Sequence, residues 1–550
     1  MGEAMAAAAS PLAVDAALEM LREGGSAVDA AIAAELVLGL VEPQSSGIGG
    51  GGFLMFYDAR SEAISGYDGR ERAPAGATPG MFLNANGTPM NFLDAQASGR
   101  SIGTPLLVPM LKLAHDDHGR LPWARLFEPA IRLAENGFEI SPRLAQLIEL
   151  GGERGRLRAD FQTRAYFFDR EGRPLPAGTL LRNPAYAATL RAIAAQGPRA
   201  MSEGPIAQAI VEAAQRNPRA GTLTLADLQA AQPRRFEPVC GAFRVYRVCT
   251  AGAPSSGNAV LSILGLYARA RPQPVGPANV DDWAAYLWAS RLAYADRDHY
   301  MADDEFVPVP TQDLIAPAYL DERARLIDVA RAPTRVDPGA PAGDELFHRW
   351  GREVGPESGT THLSVVDAWG NAVALTATVE GVFGSQRMAA GFLLNNQLTD
   401  FSFRPTINGL PVANAVEPRK RPRSSMSPTI VTDRDGELVL VIGSPGGSAI
   451  IGYVSRATIG ILDWNMPVQE AIALGNATAR TAPARIEVQR WPAGVADELR
   501  ARGWAITETG PLEGSGLHAI RVTPNGLEGG ADPRREGGVG RLPAPAPPAR

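Results

Sequence analysis

The chain of 550 residues has two cysteines and six histidines. Cys240 and Cys249 are too few for a zinc cage of cysteines alone, and the histidines are scattered without ligand spacing, so neither a metal site nor another cofactor is expected. Long apolar runs are also missing. The most apolar early stretch, Ala27 to Val41, contains Asp29 and Glu35 and is too short and too charged to span a bilayer. The first twenty residues lack a basic segment followed by an apolar one, so no signal peptide is visible. The protein is then cytoplasmic, or its export signal was removed or lies upstream of Met1. Neither sign of charge dominates: 53 Lys and Arg against 59 Asp and Glu leave a net −6. So mild a balance argues against a dedicated nucleic-acid surface.

What is present has the composition of a folded globular protein, 45% apolar and 20% charged. The length suits two or three ordinary domains or one large intertwined one. Ser10-Pro-Leu-Ala-Val-Asp reads as the start of an amphipathic helix stopped by Gly24-Gly25, and Ser26 caps a second helix that Pro43 ends near Val41. Gly47 to Tyr57 is a glycine-rich turn feeding a strand. It lacks the Lys-Ser/Thr and the following helix of a phosphate loop, so it is read as close backbone packing. Residues 105–215 are mostly helical. Cys240 and Cys249 bracket a short hairpin, and a disulfide and two free buried thiols are both open. Pro254-Ser-Ser-Gly257 opens another helix, and Asp281 to Asp296 is a packed core helix. From Val329 to Glu357 the chain loses periodicity and reads as an exposed linker. Glu437 to Ile442 reads as a strand, Gly443 to Ser448 as a tight turn and Ala449 onward as a helix, which aims backbone N–H groups in front of the turn. Residues 537–550, rich in Pro, Ala and Gly, are expected to form a disordered tail.

The stretch from Glu357 to Thr378 carries the most specific signal. Leu363 and Val365, then Val373 and Leu375, alternate with smaller or polar residues, and Asp367-Ala-Trp-Gly370-Asn371 supplies a turn. A loop of that length sets Val366 opposite Asn371 or Ala372. Thr360 then falls opposite Ala377 or Thr378. A threonine hydroxyl is a weak nucleophile unless a base sits beside it, and one solution is to place it first in a chain so that its own amine takes the proton. Thr360 is internal, so the chain would have to cut itself between Gly359 and Thr360. A residue without Cβ at 359 suits the strained backbone such an attack requires.

Several segments resemble, in order, the γ-glutamyltranspeptidase (glutathione hydrolase) family. They are Gly49-Gly-Gly-Gly-Phe53, Gly69-Arg70-Glu71, Ala295-Asp-Arg-Asp298, Glu357-Ser-Gly-Thr360-Thr-His362, Leu393-Leu-Asn-Asn-Gln397-Leu-Thr-Asp400, Arg421-Pro-Arg-Ser424-Ser425-Met-Ser-Pro428 and Gly443-Ser-Pro-Gly446-Gly447-Ser448. The resemblance covers about residues 5 to 536. It implies an α+β fold, the four-layer αββα sandwich of the N-terminal-nucleophile hydrolases, made as a precursor that splits into a large subunit, 1–359, and a small one, 360–550, which stay associated.

The resemblance also implies roles. Thr360 is the nucleophile and Thr378 the threonine that hydrogen-bonds it, while Gly446 and Gly447 offer backbone N–H groups as an oxyanion hole. Arg70, Ser424 and Ser425 match a clamp for the donor's α-carboxylate; Asp400, Gln397 and Glu380 match the surroundings of its α-ammonium. His362 lies two residues from Thr360, but the mechanism needs no histidine, and a structural role is assigned to it. The expected substrates are glutathione or other γ-glutamyl compounds, with water, amino acids or peptides as acceptors, and the family resemblance favours a periplasmic or secreted location. Two departures stand out: the loop from Asp400 to Ser424 is short, with no aromatic after Phe403 to close a lid, and the sequence beyond Trp464 differs from the usual pattern. The rival reading is an acylase removing a glutaryl-type group, whose substrate lacks the ammonium. An unpaired carboxylate near that position would oppose a neutral group, so Asp400 and Glu380 favour the γ-glutamyl donor. An inert binding relative predicts loss of Thr360 or the Gly-Gly turn, and neither is lost. A nucleotide-binding protein built on Gly49 to Gly52 is weaker still.

Overall fold

The computed structural model describes residues 2–342, 350, 359–510 and 514–544. Two antiparallel sheets face each other. The first has seven strands in the order Gly538–Leu542, Ala4–Ala8, Thr361–Val366, Ala372–Thr378, Gly51–Asp58, Ala63–Asp68 and Arg234–Phe236. The second has six, in the order Gly526–Ala531, His518–Thr523, Leu438–Gly443, Thr429–Thr432, Tyr246–Thr250 and Val239–Phe243.

Strand alternation sorts their side chains into layers. Met5, Ala7, Met55, Tyr57, Val366, Ala372 and Ala374 of the first sheet pack on Cys249, Ile430, Val441 and Ile520 of the second. On the outer face of the first sheet, Ala6, Leu54, Leu363, Val365, Val373 and Leu375 meet helices Pro11–Arg22 and Ala27–Val41. On the outer face of the second, Val248, Val431, Leu440 and Ile442 meet helices Gly257–Ala270, Val280–Tyr300 and Ile450–Leu462. The result is the expected four-layer αββα sandwich.

Ser10 stands at the N-cap of Pro11–Arg22 without a side-chain capping bond, whereas the second helix is capped as the sequence implies. Ser26 and Asp29 form a reciprocal capping box, with Ser26 N–H donating to Asp29 Oδ2 at 2.8 Å and Asp29 N–H to Ser26 Oγ at 3.2 Å. The glycine-rich turn packs closely: a Cβ on Gly50 would lie 1.9 Å from the Thr378 carbonyl oxygen. Cys240 and Cys249 are cross-strand partners joined by a disulfide, which settles the alternative left open by the sequence. The linker carries no helix or strand over residues 329–342, and the rest of it up to Glu357 and Ser358, except Trp350, lies outside the described residues.

One expectation is overturned. Residues 537–550 are not wholly a disordered tail, because Gly538–Leu542 pairs with Ala4–Ala8 as the outermost strand of the first sheet. Backbone hydrogen bonds form this strand despite its poor strand composition. Gly540 packs closely on the helix Pro11–Arg22, where a Cβ would meet the Val14 and Leu18 side chains at 2.6 Å. Residues 545–550 lie outside the described residues.

Glu35 is a carboxyl buried in the largely apolar helix Ala27–Val41. Burial pushes it up to about 8, with the Ser46 hydroxyl opposing and Glu42 adding to the rise. The folded state therefore holds a proton that the unfolded chain releases above its ordinary pKa of 4.5. This contribution to stability is full below pH 4.5 and is lost as pH rises through 8. Glu35→Gln is expected to flatten the decline of the melting temperature between pH 5 and 8, measured by thermal unfolding of both proteins across that range.

Candidate functional site

The hairpin register places the two threonines together. Thr361 pairs with Ala377 and Val366 with Ala372, so Thr360 stands opposite Thr378. Thr360 Oγ1 donates to Thr378 Oγ1 at 3.1 Å, and the same Thr378 oxygen accepts the Glu380 N–H at 2.7 Å. Both threonines are buried.

The backbone before Thr360 is unusual. Gly359 has φ +96° and Thr360 φ +90°. Positive φ is a genuine outlier for a β-branched residue, and holding one there costs about 1–3 kcal/mol. No side chain fits at 359, because a Cβ would lie 1.5 Å from the Glu380 carbonyl oxygen. The Gly359 carbonyl oxygen accepts the Gly446 N–H at 3.3 Å. The bond between Gly359 and Thr360 is thus strained, polarised and adjacent to a hydroxyl.

A pocket in front of Thr360 and Thr378 gathers the other anticipated residues: Arg70, Glu380, Gln397, Asp400, Ser424, Ser425 and Gly447, with Met426 and Ile450. Gly446 adjoins it through the Gly359 contact. The expected carboxylate clamp and ammonium cluster are not separate here. Arg70 Nη2 is ion-paired with Asp400 Oδ2 at 2.6 Å, and Gln397 Nε2 donates to the same oxygen at 2.7 Å. Arg70 Nε donates to the Pro422 carbonyl at 3.1 Å and Nη2 to that of Arg423. The Ser424 hydroxyl oxygen accepts the Met426 N–H at 3.1 Å.

Some participants escaped the sequence reading. Arg297 donates through Nη2 to the Ser425 hydroxyl and is ion-paired at 3.0 Å with Asp298. Burial opposes ionisation of Asp298, but Arg480, Arg297 and Arg423 outweigh it and hold the carboxyl below its ordinary range. Asn396 and Thr399 donate to Glu380 Oε2, the latter at 3.3 Å. Glu71, 3.9 Å from Arg70 Nη1, is pushed up to about 8 by burial, with Arg70 pulling the other way. The motifs containing Arg297, Asn396 and Glu71 marked the segments but gave these side chains no task.

His362 is buried away from the chemistry. Its Nδ1 lies 2.8 Å from Thr376 Oγ1 and its Nε2 3.1 Å from Ser364 Oγ, and burial, then His518, holds it well below the usual histidine pKa. The short loop after Asp400, residues 401–423, supplies no residue to the pocket around Thr360. Phe403 instead stacks on Phe82, with ring centroids 4.7 Å apart, and Thr406–Ile407 forms a small hairpin with Leu410–Pro411.

The sandwich, with a threonine at the head of a central strand, defines an N-terminal-nucleophile hydrolase architecture. The profile of the gamma-glutamyltranspeptidase family matches residues 13–542, and the chain belongs to that family. It is 34% identical to the glutathione hydrolase proenzyme of Bacillus subtilis (strain 168), over 97% of this chain and 91% of that protein. It is 35% identical to the glutathione hydrolase proenzyme of Escherichia coli (strain K12), over 97% of this chain and 90% of that one. Among solved structures, the cephalosporin acylase of Bacillus halodurans superposes with a TM-score of 0.85 at 25% identity, covering 98% of this chain and 96% of that one.

Thr378 connects the hairpin to the pocket wall. Thr378→Val keeps its volume but leaves the buried Glu380 N–H without its acceptor. The variant is expected to lose about 1–3 kcal/mol of stability, measured by denaturant unfolding against the unsubstituted protein.

Proposed function

We propose that this chain is a self-processing γ-glutamyl hydrolase and transferase acting on glutathione-like amides, with Thr360 as nucleophile. The observation that carries the reading is Thr360 Oγ1 hydrogen-bonded to Thr378 beside a strained carbonyl that already accepts the Gly446 N–H.

In processing, Thr360 Oγ1 attacks the Gly359 carbonyl carbon. The Gly446 N–H stabilises the developing oxyanion, and the C–N bond to Thr360 breaks as the hydroxyl proton passes to the Thr360 nitrogen, leaving an ester and a free amine. Water hydrolyses the ester, releasing the Gly359 carboxylate and the Thr360 hydroxyl beside its free amine. That amine, with a reference pKa of about 7.7–8.0, can take the hydroxyl proton in each later turnover.

In turnover, Thr360 Oγ1 attacks the γ-carbonyl of the donor, with Gly446 and Gly447 N–H groups facing the oxyanion. The amine product leaves with a proton, and the γ-glutamyl ester passes to water or to the amine of an amino acid or peptide. Arg70, Ser424 and Ser425 take the donor carboxylate; Asp400, Gln397 and Glu380 take the ammonium. The word proenzyme in the names of both relatives agrees with processing. Residues 1–359 and 360–550 would then be the large and small subunits. They share the first sheet, since Ala4–Ala8 and Gly51–Asp58 pair with the hairpin strands, and a cut would leave them associated.

The likeness to a cephalosporin acylase supports a second reading, an acylase for a donor with a carboxylate and no ammonium. Asp400 and Glu380 weigh against it, because both place negative charge where such a donor is neutral.

Two experiments test the reading. Thr360→Ala is expected to give one uncut chain without hydrolase activity, seen by intact mass and a γ-glutamyl anilide assay; a cut at 359/360 in that variant would overturn the mechanism. Asp400→Asn is expected to lower kcat/KM at least a hundredfold on a γ-glutamyl amide and less than tenfold on the matching glutaryl amide. Equal losses on both would remove the ammonium assignment.

A further inference from the structure

The basic run Arg419-Lys-Arg-Pro-Arg423 has no task in the chemistry above, and it is not a surface patch. Lys420, Arg421 and Arg423 are all buried. Arg421, 1% exposed, is bound to several carboxylates at once. Its Nη1 pairs with Asp68 Oδ2. Its backbone N–H and Nε donate to Asp303 Oδ2 at 2.7 and 3.2 Å, and Nη2 reaches Asp303 Oδ1 and, at 2.8 Å, Asp304 Oδ1.

These bonds converge on Arg70 from two directions. Asp68 closes the strand Ala63–Asp68, and while its Oδ2 holds Arg421, its Oδ1 accepts the Arg70 backbone N–H at 2.7 Å. On the other side, the two residues after Arg421 present the carbonyls of Pro422 and Arg423 to the Arg70 guanidinium. Ser424 and Ser425 follow directly. Arg421, together with Arg234, whose Nε donates to the same Asp68 oxygen at 3.0 Å, fixes the backbone of Arg70 through Asp68, and it fixes the carbonyls that aim the Arg70 side chain through its own main chain.

We propose that Arg421 is a positioning residue for donor recognition: held by Asp68 and Asp303, it sets the aim of Arg70 and the placement of Ser424 and Ser425 without touching the donor. This rests on the reading of Arg70 as the contact for the donor carboxylate. A guanidinium recognises a carboxylate through paired, coplanar bonds, so small changes of aim forfeit recognition while leaving charge in place. A lysine at 421 keeps the positive charge but lacks the fork needed to bond Asp68 and Asp303 together. Asp68 and Asp303 precede Thr360 and Arg421 follows it, so in the processed protein this arrangement would join the two polypeptides at the pocket.

The test compares Arg421→Lys with the unsubstituted protein on γ-glutamyl-p-nitroanilide and on 4-aminobutanoyl-p-nitroanilide, which lacks the α-carboxylate. Arg421→Lys is expected to raise KM for the γ-glutamyl substrate at least tenfold with kcat within threefold. On the decarboxylated substrate kcat/KM should stay within twofold, and intact mass should still show two chains. Equal losses on both substrates, a fall in kcat at unchanged KM, or no change on either would overturn the proposal. Asp303→Asn, which removes one carboxylate partner of Arg421, is measured the same way and decides the matter if Arg421→Lys does not fold. Arg70→Lys runs alongside to separate the two readings. If it fails to discriminate between the substrates, the carboxylate role of Arg70 falls; if it discriminates and the variants at 421 and 303 do not, the positioning role alone falls.

Discussion

The site depends on where one oxygen sits. The Glu380 carbonyl occupies the space that any side chain at 359 would need, so only glycine fits there, and Gly359 and Thr360 both sit at positive φ. Such a conformation persists only where its surroundings over-determine it. Here they do: the hairpin register fixes Thr378, Thr378 binds the Glu380 N–H, and Gly446 binds the Gly359 carbonyl.

Arg70 and Asp400 compensate each other in a pocket largely screened from water, where an isolated charge would be costly. A donor head group carrying one charge of each sign can exchange into that pair and leave nothing uncompensated. An anion alone cannot, because its arrival strands the Asp400 carboxylate. Under the proposed roles of Arg70 and Asp400, selectivity for a zwitterion would be a property of the pair rather than of either residue. Phe403, stacked on Phe82, takes no part in lining this pocket.

Much of this was legible in the sequence, for reasons that can be named. The alternation on either side of Asp367-Ala-Trp-Gly370-Asn371 fixes a register, and register alone puts Thr360 opposite Thr378. The capping signals at Ser10 and Ser26 bound two helices within a residue or so. Long-range partners were not legible. Nothing local in Arg297 points to Ser425, and nothing in a run of basic residues says that Arg421 lies buried among Asp68, Asp303 and Asp304. The Arg70–Asp400 pair was likewise read as two separate sites, because sequence assigns each charge a ligand but cannot show them meeting. The strand at Gly538–Leu542 was missed because its pairing with Ala4–Ala8 runs through the backbone, which composition does not record.

That last strand has a consequence for how the protein is made. Ala4–Ala8 lies between Gly538–Leu542 on one edge and Thr361–Val366 on the other. Neither neighbour exists while the ribosome is translating the first several hundred codons. The strand Ala4–Ala8 must therefore wait, unpaired, until Thr361–Val366 has been made, and its other edge waits for Gly538–Leu542. Non-local pairing of this kind is slow and exposes strand edges in the interval. Synthesis as one continuous precursor keeps the late strands tethered to the waiting one, at a local concentration that two separately made chains meeting by diffusion would lack.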